Sequence, residues 1–195
     1  VPALDLKERY EPFNLSQMQQ AYFVGRRGEM HLGQVPTHGY IEFTCEDYDS
    51  SRFLCAVKKL MERHDMLHAR FLEDGRQFVM EHYDVRIDEE DLSSLPQEEQ
   101  QRRVEEIRRE MSGMARDCFR ESLVTVRVSL LGGERALIHF YSDGLIIDGW
   151  SLELLMRDME YFYEDIARDM PDTPLLFRNY VEFMESRRHT AEYRK

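Results

Sequence analysis

Two carboxylates, two serines and the chain's single tryptophan meet in Ser142-Asp143-Gly144-Leu145-Ile146-Ile147-Asp148-Gly149-Trp150-Ser151. Asp143 and Asp148 flank a short apolar run, so both acids are held near a hydrophobic wall. Burial there raises a carboxyl pKa, whereas a guanidinium or backbone N–H donors lower it. Either tuning suits acid–base or positioning work. The same residues also read as architecture. Asp143 closes a strand, Asp148-Gly149 forms a turn and N-cap ahead of a helix, and Trp150 packs in the core. Spacing alone favours the architectural reading. His64 and His68 stand at i, i+4. The first lacks the adjoining Glu of a zinc-protease pair, and the segment is turning from helix into strand, so both read as non-ligating and no metal is expected. There is no Gly-x-Ser-x-Gly elbow and no phosphate-binding P-loop.

The scaffold that must carry these residues reads as α+β. Residues 1–12 form a lead-in. Ser16 to Gly25 is a short helix with Gly25 as its stop, followed by an exposed loop to Gly39. Tyr40 to Cys45 is a strand. Asp49 caps a helix running to Arg63, with Phe53, Val57, Leu60 and Met61 on one face. Leu67 to Phe71 and Gln77 to His82 form a hairpin around Asp74-Gly75. Residues 84–95 are an acidic connection. A helix opening at Pro96 carries Val104, Ile107, Met111 and Met114 on one side, and its Glu/Arg-rich remainder reads as a solvated face. Leu123–Leu131 and Arg135–Tyr141 form a second hairpin around Gly132-Gly133. An amphipathic helix from about residue 151 carries Leu152, Leu155, Met156, Met159, Phe162, Tyr163 and Ile166. A last helix begins near Pro174. Hairpins without strict helix alternation predict one mixed, mostly antiparallel sheet, with helices packed mainly on one face.

Composition narrows the function classes. The chain has 195 residues, with 26 Lys+Arg against 38 Asp+Glu and a net charge of −12. That balance argues against unaided nucleic-acid binding and against polybasic docking on an anionic bilayer. A content of 42% hydrophobic and 11% aromatic residues is enough for a packed core. No apolar stretch approaches the roughly 20 residues needed to span a bilayer, and no secretory signal is visible. Cys45, Cys55 and Cys118 match no metal-ligand spacing and read as small buried hydrophobes, which points to a reducing, cytoplasmic setting. Val1 at the start and an uninterrupted helical pattern at Glu192–Lys195 predict a piece of a larger polypeptide.

Three stretches together resemble the heterocyclization (cyclization) domains of nonribosomal peptide synthetases, relatives of condensation domains and more remotely of chloramphenicol acetyltransferase. Phe13-Asn14-Leu15-Ser16-Gln17 through Ala21-Tyr22 and Gly25-Arg26 resembles the opening motif, with Asn14 where Pro is usual. Arg63-His64-Asp65-Met66-Leu67-His68-Ala69-Arg70-Phe71 resembles the second, with His68 where Arg is common. Asp143, four residues, then Asp148-Gly149-Trp150-Ser151 resembles the diagnostic motif. Condensation domains carry adjacent histidines where this chain has Asp143 and Gly144. The tail from Pro174 to Tyr180, then Tyr193-Arg194, resembles the segment after a first lobe.

The resemblance implies a chloramphenicol acetyltransferase-like N-terminal lobe over residues 13–173, with 174–195 leading toward a second lobe. It implies condensation of a carrier-bound acyl group with Cys, Ser or Thr, then cyclodehydration to a thiazoline or oxazoline. Substrates would arrive on phosphopantetheine arms, with no directly bound cofactor. The partners would be upstream and downstream peptidyl carrier domains, a C-terminal lobe and an adenylation domain. Asp143, Asp148 and Ser151 would stand at the reaction centre, Asp148 as an organiser paired with Arg63 and Asp143 shaping the tunnel wall. Gly149 and Trp150 would organise the site, and Gly144, Tyr22 and Arg26 would line the tunnel. A non-catalytic docking lobe and a condensation-type acyltransferase with unusual residues remain alternatives.

Overall fold

Gly132 and Gly133 take φ of 88° and 61°, a region open to glycine at little cost, and reverse the chain between two nine-residue strands. The computed structural model describes residues 4–26, 36–168, 170, 171, 173 and 175–188. Along it run β1 (Phe13–Asn14), α1 (Gln17–Arg26), β2 (His38–Cys45), α2 (Ser50–Arg63), a 3₁₀ turn (Asp65–His68), β3 (Ala69–Phe71) and β4 (Arg76–Val79). There follow β5 (Asp88–Asp91), α3 (Gln97–Ser112), β6 (Val124–Gly132), β7 (Arg135–Asp143), α4 (Gly149–Glu164) and α5 (Phe177–Arg187).

The α+β class and the two hairpins stand, but the strands form two sheets rather than one. One has the order β1-β4-β3, and the other β2-β7-β6-β5. Every pairing is antiparallel except β5 with β6. Helices cover both faces of the larger sheet. Phe53 and Leu60 of α2 and Leu155 and Phe162 of α4 share a core with Val128, Ile138 and Phe140. On the other face Ile107 and Met111 of α3 bury against Tyr141. The strand side-chain period of two sends Ile138 and Phe140 one way and His139 and Tyr141 the other.

Several boundaries move for identifiable reasons. The acidic run Asp88–Asp91 is an edge strand, although its composition disfavours one. Its acids are held from outside: Arg103 grips Glu90 at 2.7 and 2.9 Å, and Tyr48 and Ser50 donate to Glu89. Gly25 lies inside α1, whose start is a capping box: the Gln19 N–H donates to Ser16 Oγ and the Ser16 N–H to Gln19 Oε1. Most of the loop expected between Gly25 and Gly39 lies outside the described residues, as does Pro174. Asp49 caps α2 as expected, donor Arg52 N lying 2.6 Å from its Oδ1. Cys118 is buried, but Cys55 is exposed on α2, against expectation. The lead-in lies along α5. Arg178 donates to Glu11 O and Glu8, Asp5 N–H donates to Asn179, and Arg9 pairs with Asp65.

The two sheets are joined by a pair of buried glutamines. Gln19 Nε2 donates to Gln77 Oε1 and to Leu145 O, each at 2.8 Å. Gln77 Nε2 returns a bond to Gln19 Oε1 at 2.9 Å and another to Asn14 O at 3.1 Å. Both amides are therefore satisfied in the interior. Gln77→Leu takes one bond from each end of the Gln19 amide and the donor from Asn14 O, and should cost about 1–3 kcal/mol. Gln19→Leu in addition should recover part of that loss. A urea midpoint for Gln77→Leu equal to that of wild type would show that the pair is dispensable.

Candidate functional site

Asp143 is the last residue of β7 and fully buried. Its backbone N–H donates to Leu123 O, and its carbonyl accepts from the N–H groups of Ile146 and Ile147. Its Oδ1 accepts from Leu145 N at 2.9 Å, and its Oδ2 takes the Arg26 guanidinium at the end of α1. One carboxylate thus turns the chain out of the sheet and neutralises a largely buried cation. The next residue is pinned as well. Gly144 N donates to Thr37 O at 2.7 Å, and a Cβ on Gly144 would lie 3.1 Å from Thr37 Cγ2 and Thr37 O. A side chain as large as histidine fits here only if the backbone of Thr37 gives way.

Asp148 is the N-cap of α4, its Oδ1 accepting from Ser151 N at 2.8 Å. The Ser151 backbone N–H and hydroxyl hold this carboxyl below its usual range. It stays ionised, exposed, at the positive end of a helix dipole. Trp150 follows in the first turn and is 83% exposed, so it is not a core residue. Leu154, one turn on, is also exposed.

Arg63 does not meet Asp148. Its Nε donates to Asp158 Oδ2 at 3.1 Å and its NH1 to Pro171 O at 2.6 Å. His64 Nε2 reaches the same Asp158 oxygen at 2.9 Å. The reason is length: ten residues of α4 separate the two acids, about 15 Å along a helix. The C-terminal end of α2 meets α4 at the middle, not at its start. Asp158 was absent from the sequence reading, although it lies on the face of Leu155, Met159 and Phe162 that the spacing marks as buried. An acid inside an apolar stripe is the signal that finds it.

These elements surround a cavity of about 1020 Å³ between α1, the 142–149 loop, the start of α4 and α5. Tyr22, Arg63, Gly144, Asp148, Gly149 and Ser151 line it. Asp143 lies behind Ser142 and Gly144, and Arg26 sits on Asp143 rather than on the cavity wall. Trp150 stands outside. Among the described residues, no group of three or more His, Cys, Asp and Glu side chains is placed to hold a metal ion.

Two outcomes follow from this geometry. Asp143→Asn or Arg26→Leu leaves a buried charge without its partner, at about 3–5 kcal/mol, and the double change should cost less than the sum. Asp148→Asn and Arg63→Ala should be additive, as no contact joins them. Denaturant midpoints measure both cycles, and additivity for Asp143 with Arg26 would refute the coupling. The second outcome concerns pH. Burial lowers the His64 pKa from 6.5 despite the opposing pull of Asp158, so the folded state holds it neutral. The unfolded chain gains the proton first as pH falls. Stability is therefore full above about pH 6.5 and declines below it, by up to about 1.4 kcal/mol per pH unit for each such proton. Burial lowers His68 and His139 likewise. His64→Gln should make the decline between pH 7.5 and 5.5 shallower; an unchanged slope would exclude His64 as a contributor.

Comparison with known proteins places this geometry. Residues 13–195 match the family described as Condensation domain. Phenyloxazoline synthase MbtB of Mycolicibacterium paratuberculosis (strain ATCC BAA-968 / K-10) is 35% identical over 179 residues, which cover 90% of this chain and 15% of that protein. Pyochelin synthetase PchE of Pseudomonas aeruginosa (strain PAO1) is 32% identical over 193 residues, covering 96% of this chain and 13% of the synthetase. The chain thus spans a small part of the curated relatives it matches. The EpoB NRPS cyclization-docking bidomain from Sorangium cellulosum superposes with a TM-score of 0.90 at 31% identity, over all of this chain and 39% of that one. The starter condensation domain of rhizomide synthetase RzmA shares the fold at 14% identity, with a TM-score of 0.80. By the match of nearly its whole length, the chain belongs to the condensation-domain family, as a lobe of the condensation/cyclization type found in nonribosomal peptide synthetases.

Proposed function

We propose that this chain is the N-terminal lobe of a cyclization domain. In its parent synthetase the domain joins a carrier-bound acyl group to a carrier-bound Cys, Ser or Thr, then removes water to close a thiazoline or oxazoline. The observation that carries this reading is the Asp143–Gly144 step: an acid sealed against Arg26, then a glycine pressed on Thr37, at the positions where condensation domains carry histidines. The likeness to the EpoB cyclization bidomain over the whole chain supports it.

In this reading Asp143 and Arg26 are positioning residues that fix the 142–149 loop, and Arg63 does the same for α2 on α4. Asp148 and Ser151 set an ionised carboxylate and a hydroxyl at the cavity wall, and Tyr22, Gly144 and Gly149 shape it. Substrates enter as thioesters on phosphopantetheine arms. Upstream and downstream carrier domains, a C-terminal lobe and an adenylation domain are the partners, and Trp150 and Leu154 offer apolar surface beside the cavity for such a neighbour. Free thiols at Cys45, Cys55 and Cys118 favour a reducing cytoplasm.

The test is a single-turnover reaction of the full-length parent with loaded carriers, read by intact mass. Amide formation followed by loss of one water supports the reading. Amide without water loss assigns ordinary condensation instead, and no amide leaves a docking lobe. Residues 1–195 alone should give no turnover, because one wall cannot hold two carrier arms in attack geometry or exclude water. Turnover by the isolated chain would refute that.

A further inference from the structure

The functional reading gives no role to His64 on the cavity wall, and no histidine stands where condensation domains carry theirs. His64 lines the same cavity as Asp148 and Ser151, with its side chain 18% exposed. Its Nε2 lies 2.9 Å from Oδ2 of Asp158, whose side chain is 2% exposed. A carboxylate accepts, so Nε2 carries the proton and the tautomer is fixed. Nδ1 then presents a lone pair, and it has no hydrogen-bond partner among the described residues. Arg63 shares Asp158, and Asp65 and Arg63 are the other charges acting on the ring. A neutral imidazole oriented by a buried carboxylate is the arrangement that serves general-base chemistry.

We propose that His64, oriented by Asp158, is a catalytic proton carrier for the amide-forming step. The inference rests on the function proposed above and deepens it. The acceptor's amine nitrogen attacks the thioester carbonyl carbon. The C–N bond forms and the C–S bond breaks. The proton shed by nitrogen passes to Nδ1 of His64 and from there to the departing thiolate, leaving an amide, a free thiol and a neutral imidazole. Asp158 and Arg63 are positioning residues in this step, because they act only through His64 and the helices that carry it.

The experiment uses the full-length parent synthetase with acyl- and aminoacyl-loaded carriers, and reads single-turnover amide formation by intact mass. His64→Gln is expected to slow that step by about 100-fold or more. Carrier loading and the carrier concentration giving half-maximal rate should stay at wild-type values. Asp158→Asn should slow it by about tenfold or more through loss of orientation. His64→Ala should regain rate with added imidazole, a rescue that a purely structural histidine would not show. A His64→Gln enzyme within twofold of wild type overturns the inference. If His64→Gln lowers the unfolding midpoint, the His64→Ala rescue decides, and no recovery with imidazole overturns the inference. Absence of amide in the wild-type enzyme overturns the functional reading itself. Amide made at an unchanged rate by His64→Gln overturns this step alone.

Discussion

The ion pair between Asp143 and Arg26 is the constraint on which the rest of the site depends. A carboxylate with no exposed surface needs a counter-charge and filled acceptor sites, and both are met here by residues far apart in the chain. Arg26 comes from the end of α1, Leu145 from the loop that Asp143 itself begins. Meeting those demands fixes where α1 ends and where β7 ends. It also fixes the angle at which the loop leaves the sheet toward α4. The glutamine pair repeats this logic one layer away, since Gln19 of the same helix also binds Leu145 O. The helix and the loop are thus held at two points, one ionic and one neutral.

That double attachment separates the roles of the two aspartates in the motif. Asp143 is sealed, with both carboxylate oxygens engaged by Arg26 and the Leu145 N–H. Asp148 is exposed, held ionised by the Ser151 donors at a helix N-terminus, and opens on the cavity. Identical side chains five residues apart therefore have opposite solvation, because one ends a central strand and the other starts a surface helix. The tertiary setting decides which acid faces the cavity, and the spacing between them does not.

Much of this was legible along the chain, for physical reasons that can be named. Strand alternation in Val124–Leu130, the Gly132-Gly133 turn and the Asp49 cap are local signals, and each appears where the residues point. The acidic strand Asp88–Asp91 was not legible, because its stability comes from Arg103, Tyr48 and Ser50, which the sequence keeps apart. Partner choice was the hardest part. Arg63 was expected on Asp148 and lies on Asp158, a difference set by how far α4 slides along α2, which no local pattern encodes. Trp150 was misplaced for a related reason: a large aromatic near an apolar run suggests burial, but the first turn of a capped helix projects outward here.

The outward tryptophan and the sealed aspartate describe the same division of the cavity. Beneath its floor polar groups are paired, Asp143 with Arg26 and the Leu145 N–H and Gln19 with Gln77, and Thr37 leaves Gly144 no room. Its lip is apolar and exposed, with Met18 65%, Trp150 83% and Tyr180 41% accessible. Apolar groups lose little on pairing with a neighbour and gain from leaving water, whereas the buried polar groups of the floor would lose their bonds if they moved. A surface built this way can be covered or shaped at the rim without disturbing the ion pair below. The chemistry proposed for the cavity needs that separation, since an imidazole set by Asp158 keeps its orientation only while the wall behind it stays still.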